Sequence, residues 1–344
     1  MRLSVVTPVY NGEPFLVPAI ESILNQTHRD FSFVLVDGGS TDNSLAVMQH
    51  YAHKDPRIRL LTPGPVGLCN ALNLGVAATN ADWIFRLDAD DIALPNRLKR
   101  QLQAVHRWPD AAVIGSFVNH INREGKALSE WRFGPMTETK YRQMVESGDV
   151  PQVIHSSAVL NRRIFDLVGG YDQQFAGTED YDLFDRMAQH GLVIAVPEVL
   201  AQYRVHRGSL SDTHFLRSKE LARYVVARRA RRMEGDDLTF EAFRQEAAAR
   251  PLWTRFRESM RDHQAMYYRR GGMAYGNGDR LSMLWYMGLA TMMNPLAVLS
   301  RVWTQKLSPQ SRQAVRDAAF HTTGKPVEFP HNESELPDRK VYYR

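Results

Sequence analysis

Phe33-Val34-Leu35-Val36 is an unbroken apolar run that stops at Asp37-Gly38-Gly39-Ser40-Thr41-Asp42. A strand with one wet face alternates apolar and polar residues, so a continuous run points to a strand buried on both faces. The two glycines permit a tight turn after it, and Ser, Thr or Asp can cap a following helix. Similar segments surround it. Leu3-Ser4-Val5-Val6-Thr7 is a short strand, broken by Pro8 before the turn-forming Asn11-Gly12, and Ala19-Ile20 with Ile23-Leu24 keep helical spacing. Ile58-Arg59-Leu60-Leu61 predicts a further strand, and a helix from about Leu68 to Ala78 leads into a strand that ends at Asp88. The alternation predicts an α/β fold with a mainly parallel sheet flanked by helices. Ligands of such sheets bind at the carboxyl ends of the strands, where Thr7-Pro8, Asp37 and Asp88 all fall.

Two acidic clusters carry the chemistry: Asp88-Ala89-Asp90-Asp91 and Glu179-Asp180-Tyr181-Asp182. Carboxylates at the end of a buried strand are costly to desolvate unless a cation compensates them. Two carboxylates separated by one residue can both reach a hard divalent ion, which binds substrate phosphates as well. The second cluster supplies a separate carboxylate for proton abstraction. A metal-diphosphate site beside a general base is the minimum equipment for moving a group off an activated nucleotide. No Gly-x-Gly-x-x-Gly run opens a helix and no Walker loop is present, which argues against dinucleotide oxidoreductases and P-loop enzymes. No Cys/His spacing suggests structural zinc. Plainer roles stay open for each residue. Asp88 and Asp91 can cap the helix near Pro95, Glu179 can cap its own helix, and Asp37 can be a turn residue. Asn73 can stabilise its helix, Tyr10 can pack on the sheet, and His155 and His206 can be satisfied core or surface histidines.

Composition narrows the setting. A length of 344 residues suggests about two domains. The lone cysteine, Cys69, excludes an internal disulfide framework and fits a reducing compartment. The apolar run around Val5-Val6 is too brief for a secretion signal, so a cytoplasmic location is expected. From Asp212 onward there are 23 basic against 15 acidic residues, including Arg228-Arg229-Ala230-Arg231-Arg232. Nucleic acid, an anionic membrane surface and a plain solvated helix face are the three readings of that excess. Segments near 217–232 and 240–270 have helical periodicity. Leu281 to Ser300 lacks charge but contains Ser282, Tyr286, Gly288, Thr291, Asn294 and Pro295, which argues against a spanning helix. Trp285, Met292, Met293 and Trp303 are expected to face a helical-hairpin core, with a surface-lying membrane helix as the alternative. Pro326, Pro330 and Pro337 give the end the character of an extended tail. The expected division is a catalytic domain over 1–211, a helical region over 212–324 and a tail over 325–344.

The ordered motifs resemble a known family. Val6-Thr7-Pro8-Val9-Tyr10-Asn11, Val36-Asp37-Gly38-Gly39-Ser40-Thr41-Asp42 and Gly67-Leu68-Cys69-Asn70-Ala71-Leu72-Asn73-Leu74-Gly75 come first. Arg86-Leu87-Asp88-Ala89-Asp90-Asp91 and Pro95-Asn96-Arg97-Leu98 follow. Then come His155-Ser156-Ser157, Gly169-Gly170-Tyr171-Asp172, Glu179-Asp180-Tyr181-Asp182-Leu183 and Tyr203-Arg204-Val205-His206. Over roughly the first 210 residues the chain resembles a family 2 glycosyltransferase with the GT-A fold, the family of many bacterial polysaccharide and lipopolysaccharide enzymes.

The resemblance implies an inverting transferase that uses a nucleotide-diphospho-sugar with Mn²⁺ or Mg²⁺. Thr7, Pro8 and Tyr10 would line the nucleotide pocket, with Asp37, Asn73, Arg86 and Ala89 also on the donor side. Asp88 would face the ribose or donor sugar, and Asp90 would hold the metal, with His206 as a further ligand. Asp180 would be the base, with Glu179 and His155 on the acceptor side. Arg86 or Arg204 would supply donors to the departing phosphates. Gly38 stands where the family usually has a second acid on the base, which leaves the base to Asp37 or a backbone group. A UDP-sugar is the first expectation and a dTDP-sugar the second. The acceptor would be a saccharide or lipid-linked saccharide, reached at the inner face of the cytoplasmic membrane through peripheral contact, and no nucleic acid is expected. A nucleotidyltransferase would share the metal chemistry but leave the Glu179-Asp180 and Tyr203-His206 motifs unused. A noncatalytic membrane- or nucleic-acid-binding protein would leave both acidic clusters idle.

Overall fold

The computed structural model describes residues 1–302; Trp303 and the expected tail over 325–344 lie outside them. In chain order the elements are β1 (Leu3–Val9), α1 (Glu13–Leu24), β2 (Ser32–Asp37), α2 (Ser44–Lys54), β3 (Ile58–Leu61), α3 (Gly67–Ala77) and β4 (Trp83–Arg86). They continue with β5 (Ile92–Ala93), α4 (Arg97–Arg107), β6 (Ala111–Ile121), β7 (Ala127–Trp131), α5 (Glu138–Glu146), β8 (Val159–Asn161), α6 (Arg162–Leu167), α7 (Glu179–Met187) and β9 (Leu192–Arg204). Six helices follow: α8 (Leu210–Thr213), α9 (Phe215–Met233), α10 (Phe240–Ala249), α11 (Leu252–Gly276), α12 (Arg280–Met293) and α13 (Pro295–Val302). Among the described residues the chain forms two compact units, one of 1–119 with 131–203 and one of 120–130 with 204–302.

In the first unit the strands run β3-β2-β1-β4-β8-β6-β9-β5; β7 pairs with β6, and all of β7 but Trp131 belongs to the second unit. The expected parallel sheet forms where β1 pairs with β2 and β4, and β2 with β3. Beyond β4 the pairings with β8, and of β8 with β6, are antiparallel. Strand alternation divides the core between the two faces of the sheet. Val5, Phe33, Leu35 and Phe85 pack under α1, α2 and α4 with Leu16, Ile20, Met48 and Leu102. Val6, Val34, Val36 and Ile84 meet Cys69, Leu72 and Val76 of α3 and Leu183, Phe184 and Met187 of α7. Each such side chain contributes roughly 1.5–3 kcal/mol by leaving water.

Pro8 does not break β1, as had been expected; it pairs with Val36 and the strand continues to Val9. The reason lies on the other side of the strand. Pairing with β4 ends at Val6 and Arg86, so the N–H that proline lacks would face a place where no partner strand remains. β1 and β4 part there, at the point where strand order reverses, which is where ligands of such sheets bind.

The second unit is helical apart from the 120–130 segment. Tyr224 stacks near Phe240 and Phe243, joining α9 to α10, and Arg223 pairs with Asp262 at 2.7 Å, joining α9 to α11. The basic run is divided: Arg229 is buried, while Arg231 pairs with Asp236 and Glu246, each at 2.8 Å. α11 and α12 form the expected hairpin, with Gly271 against Met287 and Tyr267 stacked on Tyr286. Trp285 and Met292 nevertheless face outward, 67% and 83% exposed. The inner positions are taken by Met287 and Ala290 instead. No helix among the described residues is long and apolar enough to cross a membrane.

Candidate active site

The loops after β1 and β2 interlock beyond the carboxyl ends of those strands. Asn11, with φ of 50°, accepts from Thr41 N at 2.8 Å, while Asn11 N donates to Ser40 Oγ at 3.1 Å. Gly12 N donates to Ser44 Oγ and Glu13 N to Asp42. This clasp leaves Tyr10 66% exposed at the rim. Asp37, buried at the end of β2, accepts from Ser40 N at 3.1 Å. A side chain at Gly38 would begin 3.3 Å from the Val9 carbonyl and 3.7 Å from Tyr10 Cβ. The position where the family usually has a second acid is therefore tight against the Val9 carbonyl, with Tyr10 at ordinary contact distance.

Beyond β4 the chain turns through the first acidic cluster. One oxygen each from Asp88, Asp90 and Asp91 lies within 4.8 Å of the others. Three hard carboxylate donors at that spacing fit Mg²⁺ or Mn²⁺ in chemistry and reach. Asp88 N is anchored on Ser156 Oγ at 3.1 Å. Two arginines lie behind the cluster. Arg86, 2% exposed, forms an ion pair with Asp88. Burial is the largest influence and would lower its pKa, but Asp88, Tyr171 and Glu179 together outweigh it and hold the value above the ordinary one. Arg97, also buried, donates to the Arg86 carbonyl at 2.6 Å and to Gln101 at 2.9 Å. Desolvation drives it down to about 9 despite Asp91.

The second cluster opens α7, where the helix N-terminus favours negative charge. Glu179 Oε2 accepts from Gly177 N at 2.7 Å, and its Oε1 lies 3.6 Å from His155 Nδ1. Burial, with the adjacent Asp180 charge, raises Glu179 to about 7. Asp180 is half-buried and accepts from Tyr181 N at 2.8 Å. Desolvation raises its pKa, Arg86 opposes that, and Asp88 adds to it. The two clusters thus share one electrostatic site with Arg86 between them. His155 donates or accepts at Tyr171 Oη, 2.8 Å away, and burial with the Arg86 charge holds its pKa well below normal. The imidazole is neutral at pH 7.

Several expected donor contacts change character. Thr7 has no exposed surface, and its Oγ1 finds no partner among the described residues. Pro8 is buried beside it, and Ala89 is half-buried next to Gly12. Arg86 Nε and Nη1 are sealed from solvent, and the guanidinium faces Asp88. Asn73 commits its amide to the Tyr171 backbone, donating to the carbonyl at 2.8 Å and accepting from N at 2.9 Å. Arg204 donates to the carbonyls of Asn122 and Arg123. His206 lies in the second unit, with Nδ1 2.9 Å from the Arg207 carbonyl. Sequence reasoning assigned no role to Arg97, Ser156 or Tyr171. Each stands inside a quoted motif, and that was the available signal.

A doubly flanked sheet with a switch point in its strand order, a carboxylate triad there and a second acid pair beyond it define the GT-A class of nucleotide-sugar transferase folds. The family described as Glycosyl transferase family 2 matches residues 4–169. An uncharacterized glycosyltransferase of Methanocaldococcus jannaschii is 30% identical over 208 residues, 59% of this chain and 70% of that one. An O-antigen biosynthesis glycosyltransferase of Escherichia coli is 28% identical over 211 residues, 60% and 81% of the two chains. The chain belongs to glycosyltransferase family 2 and is an enzyme of that family. Its fold is similar to that of a mannosyltransferase from Pyrobaculum calidifontis solved with GDP-Man and Mn²⁺, at 16% identity and a TM-score of 0.53, covering 93% of this chain and 84% of that one.

Proposed function

We propose that the enzyme is a metal-dependent, inverting glycosyltransferase that moves a sugar from a nucleotide-diphospho-sugar to a saccharide hydroxyl. The observation that carries this reading is the pairing of the Asp88-Asp90-Asp91 triad with Asp180 around the buried Arg86. The relative solved with a nucleotide-sugar and Mn²⁺ supports the donor and metal classes.

Asp90, with Asp88 and Asp91, would hold Mg²⁺ or Mn²⁺, which when bound supplies Lewis-acid neutralisation of the diphosphate. Tyr10, exposed at the rim, would cover the base above Gly38, and Asp37 would anchor the loop beneath it. UDP-sugars are the first donors to test, then dTDP- and GDP-sugars. Asp180 takes the proton of the acceptor hydroxyl as that oxygen forms its bond to the anomeric carbon. The bond from that carbon to the diphosphate oxygen breaks, its electrons leave with the diphosphate, and one displacement inverts the configuration. Desolvation raises the pKa of Asp180, which strengthens it as a base, while the Tyr181 N–H and Arg86 oppose that rise. Glu179 and the neutral His155 hold the wall beside it.

The relative named for O-antigen biosynthesis favours a cell-surface glycan as product. The exposed Leu281, Leu284, Trp285 and Met292 of α12, with Arg280 at its start, suit shallow docking on an anionic bilayer. The test of the catalytic reading is Asp180→Asn. Donor affinity should stay near wild type while transfer falls by about 10²–10⁴-fold. Wild-type turnover by the folded variant would reject Asp180 as the base.

A further inference from the structure

β7 ends at Trp131, and two residues later Phe133 returns onto its indole, with ring centroids 5.5 Å apart and planes 26° from parallel. Tyr203, near the end of β9, meets the same indole edge-on at 6.3 Å and 74°. All three side chains are only partly buried, over a small base of Val118, Ile154 and Ala201. Three observations place this aromatic group beside the reacting groups. Ile154 immediately precedes His155. Gln152 donates to the carbonyl of Tyr181, the residue after Asp180, at 3.4 Å. Gly134 backs against the Gln152 carbonyl so closely that a Cβ there would lie 2.8 Å from it, which fixes segment 131–134 alongside 152–154. From the other side, β5 pairs with β9 through Ile92 and Gln202, so Tyr203 stands level with Asp91 in register.

We propose that Trp131, Phe133 and Tyr203 form a stacking shelf for a pyranose ring of the acceptor, which makes the acceptor a saccharide. This rests on the transferase reading above and adds the residues that select its second substrate. A pyranose carries an apolar C–H face with a hydroxyl rim. An aromatic face with negative quadrupole suits the first, and rigid rings lose little entropy on binding. Pockets for such ligands combine aromatic walls with a few convergent polar groups, here Asp180 and His155.

The full-length wild-type chain is first screened with Mn²⁺ for hydrolysis of UDP-, dTDP- and GDP-sugars. If none is hydrolysed, the transferase reading itself fails and takes the shelf with it. With a donor in hand, transfer is measured on a panel of methyl and p-nitrophenyl glycosides for wild type, Trp131→Phe, Trp131→Leu and Tyr203→Leu. The expected result is a KM for the best glycoside raised about tenfold in the two leucine variants. Trp131→Phe should stay near wild type, with donor hydrolysis and melting temperature unchanged throughout. Three results overturn the proposal: an unchanged glycoside KM in both leucine variants, donor hydrolysis falling in parallel with transfer, or a wild type that hydrolyses donor yet glycosylates nothing on the panel. If the leucine variants melt early, saturation-transfer NMR on the wild type decides. A stacked glycoside receives saturation mainly on the C–H protons of one ring face, and uniform saturation refutes the shelf.

Discussion

Arg86→Met keeps a long side chain in a position 2% exposed while deleting its charge. Burial raises the pKa values of Asp88, Glu179 and Asp180, and Arg86 opposes that rise in all three. Removing one partner from a buried ion pair costs about 3–5 kcal/mol, because the other charge is left uncompensated. That is a large share of a domain's stability of about 5–15 kcal/mol. At about 2–4 °C per kcal/mol for a unit of about 150–250 residues such as the first, its melting temperature should fall by about 6–20 °C at pH 8. The pH dependence has a definite sign. A carboxyl whose folded pKa is raised destabilises progressively as pH climbs from the unfolded value to the folded one. Without Arg86 the three folded values rise further, so the deficit is greatest at pH 8 and shrinks toward pH 5, where protonated carboxyls no longer need the cation. Calorimetric melts of both proteins at pH 5, 6.5 and 8 test this. An equal fall at pH 5 and pH 8 would show that Arg86 matters by packing, and the electrostatic argument would be wrong.

Asp90→Asn should weaken Mn²⁺-dependent binding of a nucleoside diphosphate by at least about tenfold, since it removes one of three clustered oxygen donors; calorimetry showing the same metal dependence in both proteins would reject the ligand assignment. Glu179, raised from 4.5 to about 7, takes up a proton on folding between those values, so its contribution to stability is lost as pH rises through that window. Glu179→Gln should flatten the loss by about 1–3 kcal/mol in urea titrations, and parallel curves would count against it. Vesicles rich in anionic lipid should float the wild-type protein at low salt and release it at high salt, while a Leu281→Ser, Trp285→Ser variant stays behind. Equal flotation of both proteins would remove α12 as the docking face.

The parallel half of the sheet was legible because its strands are buried on both faces and announce themselves as continuous apolar runs, as Phe33–Val36 does. Pro8 misled because its effect depends on where β4 leaves β1, a fact of tertiary structure that no local propensity carries. The acidic clusters could be located from composition and order, but their sharing of Arg86 could not, since residues 86 and 179 meet only once α7 packs on the sheet. Asn73 shows the same limit: its amide meets the Tyr171 backbone across 98 positions of sequence. On α12 the apolar residues lie on two faces, and hydropathy alone does not tell Trp285, outside, from Met287, against Gly271.

Cys69, on the inner face of α3, is 1% exposed, and burial together with the Glu179 charge pushes its thiol up to about 12. A thiol so protonated and sealed is inert to maleimides and iodoacetamides at neutral pH. Because it is the chain's one cysteine, the native protein is already a silent background for site-specific labelling. A cysteine introduced at exposed Asn277, in the turn between α11 and α12, would be the sole reactive position. A dye there would report on the hairpin's surroundings without any further change to the sequence.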